Sequence, residues 1–335
     1  MRTISLQRLN NIVRKFSRAK LLVIGDVMLD EYIWGKVTRI SPEAPVPVVN
    51  VHHQTMMPGG AANVTRNVRA LGAGVCLAGV LGKDASGRYL ERLLKAEEVD
   101  TGGIIKRSDG GTILKTRVIA HSQQVVRIDR EQSTVFAPAV EKKIFKYIEK
   151  TIADVDAVVI EDYGKGLITQ GLVSFLVDKC GDYRKPLVVD PKKGHFLDYT
   201  GITAITPNME EALSAAGMED DGEYVAQRIK EAGRRIINKW HPRSVLITLG
   251  EHGMILFEEG IEDSYQIPVT AKEIYDVSGA GDTVVAVFTA ALASGATMKE
   301  ATALSNMAAG IVVGKVGTAT VTRKELSGVI NQEEG

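Results

Sequence analysis

Short continuous apolar runs, separated by stretches of helical periodicity, set the rhythm of the chain. The runs at 21–24, 75–80, 157–160, 187–189 and 245–248 stop at Gly25, Gly82, Glu161-Asp162, Asp190 and Gly250. Apolar runs of this length, without polar alternation, suit strands covered on both faces. Helical patterns fall between them at 61–71, 85–96, 138–150, 169–180 and 221–239. Strand and helix alternating in this way predict a doubly wound, mostly parallel α/β sheet with helices on both faces. Ligands of such sheets bind beyond the carboxyl ends of the strands, where Asp26, Asp30, Asp162, Asp190 and Gly250 fall.

Two segments break the rhythm. Residues 31–51 carry Pro42, Pro45 and Pro47 between β-prone stretches, and 112–131 reads as two alternating strands around His121-Ser122-Gln123. Both predict hairpins. They are either ordinary edge hairpins or a small β-sheet lid over the ligand edge, and the second reading is favoured. No internal repeat or linker is evident, so residues 1–335 are expected to form one domain with the lid segments inserted.

Composition narrows the partners. The 335 residues hold 41 Lys plus Arg against 41 Asp plus Glu, a net charge of zero, which excludes a chain-wide grip on nucleic acid or anionic membrane. With 44% hydrophobic and 24% charged residues the chain is an ordinary globular one. No run reaches the roughly 18 apolar residues of a membrane span. Leu6, Leu9, Ile12, Val13 and Phe16 form one stripe among Arg8, Asn10, Asn11, Arg14 and Lys15, an amphipathic surface helix rather than a signal peptide. Cys76 and Cys180 are far apart and form no CxxC pair, which suits the reducing cytoplasm. The six histidines show no HExxH spacing, so zinc has no support.

The most informative stretch is Tyr275-Asp276-Val277-Ser278-Gly279-Ala280-Gly281-Asp282-Thr283, followed by the helical run 284–293. Small residues before a helix leave backbone N–H groups bare at the positive end of its dipole, a ready anion hole. Asp282 beside it can accept a proton from an attacking hydroxyl. The same stretch also serves a glycine-rich helix start with Asp as its cap. A P-loop is absent, because Gly82-Lys83 leads to Asp84 and Gly314-Lys315 to Val316; GxGxxG fails at Gly279-Ala280-Gly281 as well.

From about residue 20 to 325 the chain resembles the ribokinase-like (PfkB) family of ATP-dependent carbohydrate kinases. Residues 276–282 resemble its C-terminal signature and Pro58-Gly59-Gly60-Ala61-Ala62-Asn63 its N-terminal one. Gly25-Asp26 with Asp30 is similar to its first-strand sugar site, Asn208-Met209-Glu210-Glu211 to its N-x-x-E motif, and 248–253 to its T-x-G-x-x-G turn. Within the family, residues 25–30, 39–49, 162–166 and 190–192 resemble bacterial D-glycero-D-manno-heptose 7-phosphate kinases, which phosphorylate the anomeric hydroxyl for lipopolysaccharide precursors. Many of those carry a C-terminal nucleotidylyltransferase with an H-x-G-H motif; this sequence contains none, so no such domain is expected in it.

The resemblance implies roles. Asp282 is the expected general base, with Gly279, Ala280 and Gly281 as the anion hole. Asn208 and Glu211 would organise Mg²⁺ near the phosphates of ATP, or simply cap the helix that follows them. Thr248, Gly250, Gly253 and Asn306 would line the nucleotide, and a monovalent cation near Asp276 is expected as an accessory. Asp30, Gly59, Gly60 and Asn63 would hold sugar hydroxyls, while Lys165, Lys192 and Arg127 are the candidates for the substrate phosphate, or else surface charges. His121, Gln123 and Gln124 sit at the expected lid tip without an assigned role. A homodimer through apolar lid positions such as Ile33, Trp34, Val46 and Val48 is also expected. The alternatives are a PfkB-type kinase of another sugar, sugar phosphate or nucleoside, and a non-catalytic sensor on the same fold.

Overall fold

The computed structural model describes residues 4–121, 123–131, 136–219, 225–270, 276–315 and 317–332. Ser122 at the expected lid tip, Tyr275, and 221–224 at the head of one expected helix lie outside them. The first helix, α1 (Leu6–Lys15), buries Leu9, Ile12 and Val13 of the predicted stripe. Strand β1 (Lys20–Gly25) leads into β2 (Val27–Ile40), which pairs with β3 (Pro47–Gly60) as a long hairpin. Then come α2 (Ala61–Ala70), β4 (Gly74–Gly82), α3 (Ala85–Ala96), β5 (Asp100–Arg107), β6 (Ile113–Ala120) and β7 (Gln123–Arg130). The chain continues through α4 (Pro138–Thr151), β8 (Ala157–Glu161), α5 (Gln170–Asp182), β9 (Leu187–Asp190), β10 (Ala204–Ile205), α6 (Met209–Ala215), α7 (Ala226–Trp240) and β11 (Ser244–Thr248). It ends with β12 (Met254–Glu258), β13 (Tyr265–Ile267), α8 (Ala280–Ala293), α9 (Met298–Val313) and α10 (Arg323–Gln332).

Nine strands form one sheet in the order β13-β12-β11-β10-β9-β8-β1-β4-β5. Only β12 and β13 run antiparallel to their neighbours. The turn from β11 to β12 is too short for a parallel crossover, so the strand has to double back. Within β1, Leu21 and Val23 point into one core while Leu22 and Ile24 point into the other. This two-faced burial is why the strands read as unbroken apolar runs. On one side the sheet is covered by α1, α2, α3, α8, α9 and α10, on the other by α4–α7. Helix α8 is apolar all round and buried over most of its length, as a central helix must be.

The order turns back at β1 and β8: the chain builds outward to β5 on one side and to β13 on the other. That switch opens a crevice at the carboxyl ends of the strands. A separate sheet, β3-β2-β6-β7, rises over this edge. It is longer than the sequence suggests, because β2 and β3 extend inward to Val27 and Gly60.

Candidate active site

The crevice is built from the start of α8. Gly279 caps the helix at φ 78°, a left-handed conformation that glycine adopts without strain. A Cβ there would also stand 2.9 Å from the Asn63 amide nitrogen. The Ala280 N–H turns back to the Val277 carbonyl (3.2 Å), whereas those of Gly279, Gly281 and Asp282 meet no partner among the described residues. The open N–H groups at this helix start are therefore not the full set expected from 279–281; Ala280 is spent on the turn. Asp276 braces the loop, its two carboxylate oxygens accepting the N–H groups of Ser278 (2.9 Å) and Gly317 (3.0 Å).

Asp282 lies in the first turn of α8 and is only 6% exposed. Asn63, from the first turn of α2, donates its amide to one carboxylate oxygen at 2.6 Å. Tyr163, on the loop after β8, donates its hydroxyl to the other at 3.3 Å. Burial pushes the Asp282 pKa up to about 6; the Asn63 bond opposes the rise and the charge of Asp30 adds to it. The charge of Asp282 and burial together hold the Tyr163 phenol well above its ordinary value, so the hydroxyl remains a donor. Asn63 is fully buried, and its side-chain carbonyl oxygen has no partner among the described residues.

Asp30 stands on β2, where the lid meets the large sheet. Arg117 on β6 holds it in an ion pair. Gly59 lies so close that a Cβ would come within 2.3 Å of an Asp30 carboxylate oxygen. Asp26 serves the loop rather than the cleft: one of its oxygens accepts the N–H groups of Tyr163 (2.9 Å) and Lys165 (3.0 Å). Asp30, Gly59, Gly60, Asn63 and Asp282 are thus gathered by a short run of contacts.

On the far side of Asp282 a polar hollow is lined by Asp162, Asp190, Lys192, Thr206, Asn208, Glu211, Thr248, Gly279 and Gly281. Asn208 and Glu211 form a reciprocal capping box on α6, and both residues line the hollow. Glu161, buried beneath it, keeps one carboxylate oxygen without a partner. Burial, compounded by neighbouring carboxylates, raises the proton affinity of Glu161, Asp190 and Glu211. A second, more apolar cavity adjoins the hollow and is lined by Thr248, Gly250, Gly253, Val269, Gly281 and Asn306, among others. The Asn306 amide donates to the Pro268 carbonyl (2.8 Å), so it shapes this wall as well as lining it.

The three cations expected at a substrate phosphate separate. Lys192 reaches the polar hollow, its Nζ 6.0 Å from the Tyr163 ring centre. Lys165 is bound to Glu131 (2.6 Å), and Arg127 is exposed on β7 and paired with Asp129. Sequence reasoning missed Glu161, the Tyr163 hydroxyl, Lys115 and Arg117. The two cations on β6 alternate with Leu114 and Thr116, a pattern that marks one face of a strand without saying what it faces.

Ribokinase-like architecture is what this sheet, lid and crevice define. Arabidopsis thaliana ribokinase, solved in complex with ribose and ATP, matches with a TM-score of 0.72 at 18% identity, covering 93% of this chain and 98% of that one. Escherichia coli phosphofructokinase-2, solved in complex with potassium, matches with a TM-score of 0.74 at 19% identity, covering 95% and 99%. Residues 18–325 match the profile described as pfkB family carbohydrate kinase, and the chain belongs to that family. The Bifunctional protein HldE of Desulfatibacillum aliphaticivorans is 44% identical over 321 residues, which is 96% of this chain but 65% of that protein. Other HldE proteins show the same proportion, so the chain spans about 65% of the length of these relatives.

Proposed function

We propose that this chain transfers the γ-phosphoryl group of ATP to the anomeric hydroxyl of D-glycero-D-manno-heptose 7-phosphate, giving heptose 1,7-bisphosphate for ADP-heptose and lipopolysaccharide precursors. One observation carries the catalytic part: a buried carboxylate, Asp282, oriented on both oxygens beside the open N–H groups that begin α8. The similarity of residues 25–30, 39–49, 162–166 and 190–192 to the heptose 7-phosphate kinases, together with the HldE relatives, supports the choice of sugar.

Asp30, Gly59, Gly60 and Asn63 hold the sugar so that its anomeric hydroxyl meets Asp282. With a pKa of about 6 the carboxylate is mostly charged near neutrality and takes the hydroxyl proton. The freed oxygen bonds to the γ-phosphorus, the bond to the bridging oxygen breaks, and ADP leaves. Backbone N–H groups at 279, 281 and 282 and the Lys192 ammonium steady the transferred group; positioning and charge stabilisation dominate such reactions. Thr248, Gly250, Gly253 and Asn306 line the nucleotide.

Magnesium fits the hollow because Asp162, Asp190 and Glu211 line it, and burial raises the proton affinity of Asp190 and Glu211, a strain that a cation would relieve. No group of three or more acidic, His or Cys side chains among the described residues could hold a bare ion. Few protein ligands are what Mg²⁺ needs when it keeps its waters and leans on phosphates. Asn208 and Glu211 would hold it, and when bound it would neutralise charge on the ATP phosphates. The same reading puts a monovalent cation near Asp276, tested by rate against KCl with choline chloride as control.

The assembly and setting belong to the same proposal. Val126 and Ile128 are 46% and 43% exposed on the lid face turned away from Asp30, and we infer that a second copy covers them; sedimentation of V126K against the parent tests the dimer. A cytoplasmic setting suits the two unpaired cysteines, both buried, and no helix among the described residues is long and apolar enough to cross a membrane. The direct test of the function is ADP release over a panel of heptose 7-phosphate, fructose 6-phosphate, ribose and adenosine. Heptose 7-phosphate should give the highest kcat/KM by at least about tenfold, the discrimination bought by one good charged contact. A higher value for another acceptor overturns the substrate, and no transfer to any overturns the reaction.

A further inference from the structure

Four cations gather on the cleft side of the lid: Lys115 and Arg117 on β6, Arg127 on β7, and Lys165 on the loop after β8. Three are neutralised within the protein, Arg117 by Asp30, Arg127 by Asp129 and Lys165 by Glu131. Lys115 is half-buried, yet no carboxylate of the described residues stands within ion-pair distance of it. Its register neighbours are the two acids already claimed, Asp30 on β2 and Asp129 on β7. The ammonium lies 5.0 Å from the centre of the Tyr163 ring, whose hydroxyl reaches Asp282. Tyr163 thus spans from the reacting carboxylate to Lys115.

Withdrawing an ammonium from water with no carboxylate in contact is costly: burial lowers the proton affinity of Lys115, and the more distant charges of Asp30, Glu131 and Asp129 offset this only in part. Such a group is stabilised by an anion that arrives with a ligand. The transferred phosphoryl group is served elsewhere, by Lys192 and the start of α8 in the polar hollow. On the kinase reading above, the sugar would run from Asp282 past the Tyr163 ring towards Asp30 and Lys115. We propose that Lys115 binds the phosphate carried by the sugar substrate and so selects a phosphosugar over its unphosphorylated analogue. This deepens the kinase reading above and rests on it. Lys165 and Arg127 become supporting charges around Lys115.

The experiment compares the parent with K115M, which keeps the apolar stem, and with K115R, which restores the charge. Binding of heptose 7-phosphate and of heptose is measured calorimetrically with a non-hydrolysable ATP analogue present, followed by kcat and KM for each sugar. Losing a charge-assisted bond of about 1.5–3 kcal/mol should weaken the phosphosugar by roughly 10- to 150-fold in K115M. Affinity for heptose and KM for ATP should stay within about twofold, and K115R should recover most of the loss. Equal weakening of both sugars, or a rise in KM for ATP instead, overturns the assignment. Should K115M melt well below the parent, K115Q is read by the same ratio of the two sugars. A parent that prefers a different phosphosugar sinks the heptose substrate, and Lys115 is then judged with that phosphosugar. A parent that binds phosphorylated and plain sugars alike overturns the Lys115 site itself.

Discussion

Replacing Asn63 by alanine isolates the bond that favours the charged form of Asp282, the proposed base. The Asn63 amide donates at 2.6 Å to a carboxylate whose pKa burial has already lifted to about 6. Hydrogen bonds to charged groups contribute about 1.5–3 kcal/mol. At about 1.36 kcal/mol per unit, losing this one moves the Asp282 pKa up by roughly one to two units, to about 7–8. The sign is upward because the donor favours the charged form and its removal favours the protonated one. At pH 7 the charged fraction then falls from about nine-tenths to between roughly a half and a tenth, a loss of about 2- to 10-fold from ionisation alone. The assay is kcat/KM for the sugar from pH 5 to 9.5 at saturating ATP and Mg²⁺. N63A should show its acid limb shifted to higher pH by one to two units, with activity recovering as pH rises. A lost sugar contact would lower the plateau without moving the limb, so the two roles separate. An acid limb that stays where the parent has it refutes the claim that Asn63 sets the ionisation of Asp282.

Four further outcomes follow from the same site. D282N should lower kcat by at least about 10²-fold, the low end for loss of a general base, while a fluorescent ATP analogue binds within about twofold of the parent. G59A places a Cβ within 2.3 Å of an Asp30 carboxylate oxygen and must push that side chain aside; KM for the sugar should rise by at least about tenfold with KM for ATP unchanged. In thermal melts without metal, stability should fall as pH rises from about 4 through 6, because folded Asp26 and Asp282, with pKa values raised to about 6, keep protons that the unfolded chain has released. Added Mg²⁺ should raise the melting temperature more at pH 8 than at pH 5, and an equal gain at both would contradict its placement beside Glu211 in the hollow.

What the sequence reveals and what it hides have physical reasons. Strands β1, β8, β9 and β11 are legible because two covered faces demand unbroken apolar runs. Strand β10 is not, since Ala204 and Ile205 alone bridge β9 and β11 in the middle of the sheet. Asp282, Asn208, Glu211 and Gly59 stand out because close backbone approach and helix starts restrict which residues fit. Asn208 and Glu211 show that two readings need not compete: the residues that form the capping box also line the hollow. The sorting of Lys192, Lys165, Arg127 and Lys115 could not be read in advance. It depends on which acid each cation meets: Arg127 meets Asp129 two residues along the same strand, whereas Lys165 meets Glu131 only where the fold brings the loop after β8 against the end of β7. Neutrality of the whole chain hides this local arrangement, acids around the polar hollow and a half-buried Lys115 on the cleft side of the lid.

Product analysis with heptose 7-phosphate, ATP and Mg²⁺ tests the central claim most directly. The account predicts a product of bisphosphate mass, whose new phosphorus couples to the anomeric proton in a ³¹P–¹H spectrum, formed by the parent and at least about 10²-fold more slowly by D282N. A phosphate attached at any other carbon, or D282N turning over like the parent, would contradict it.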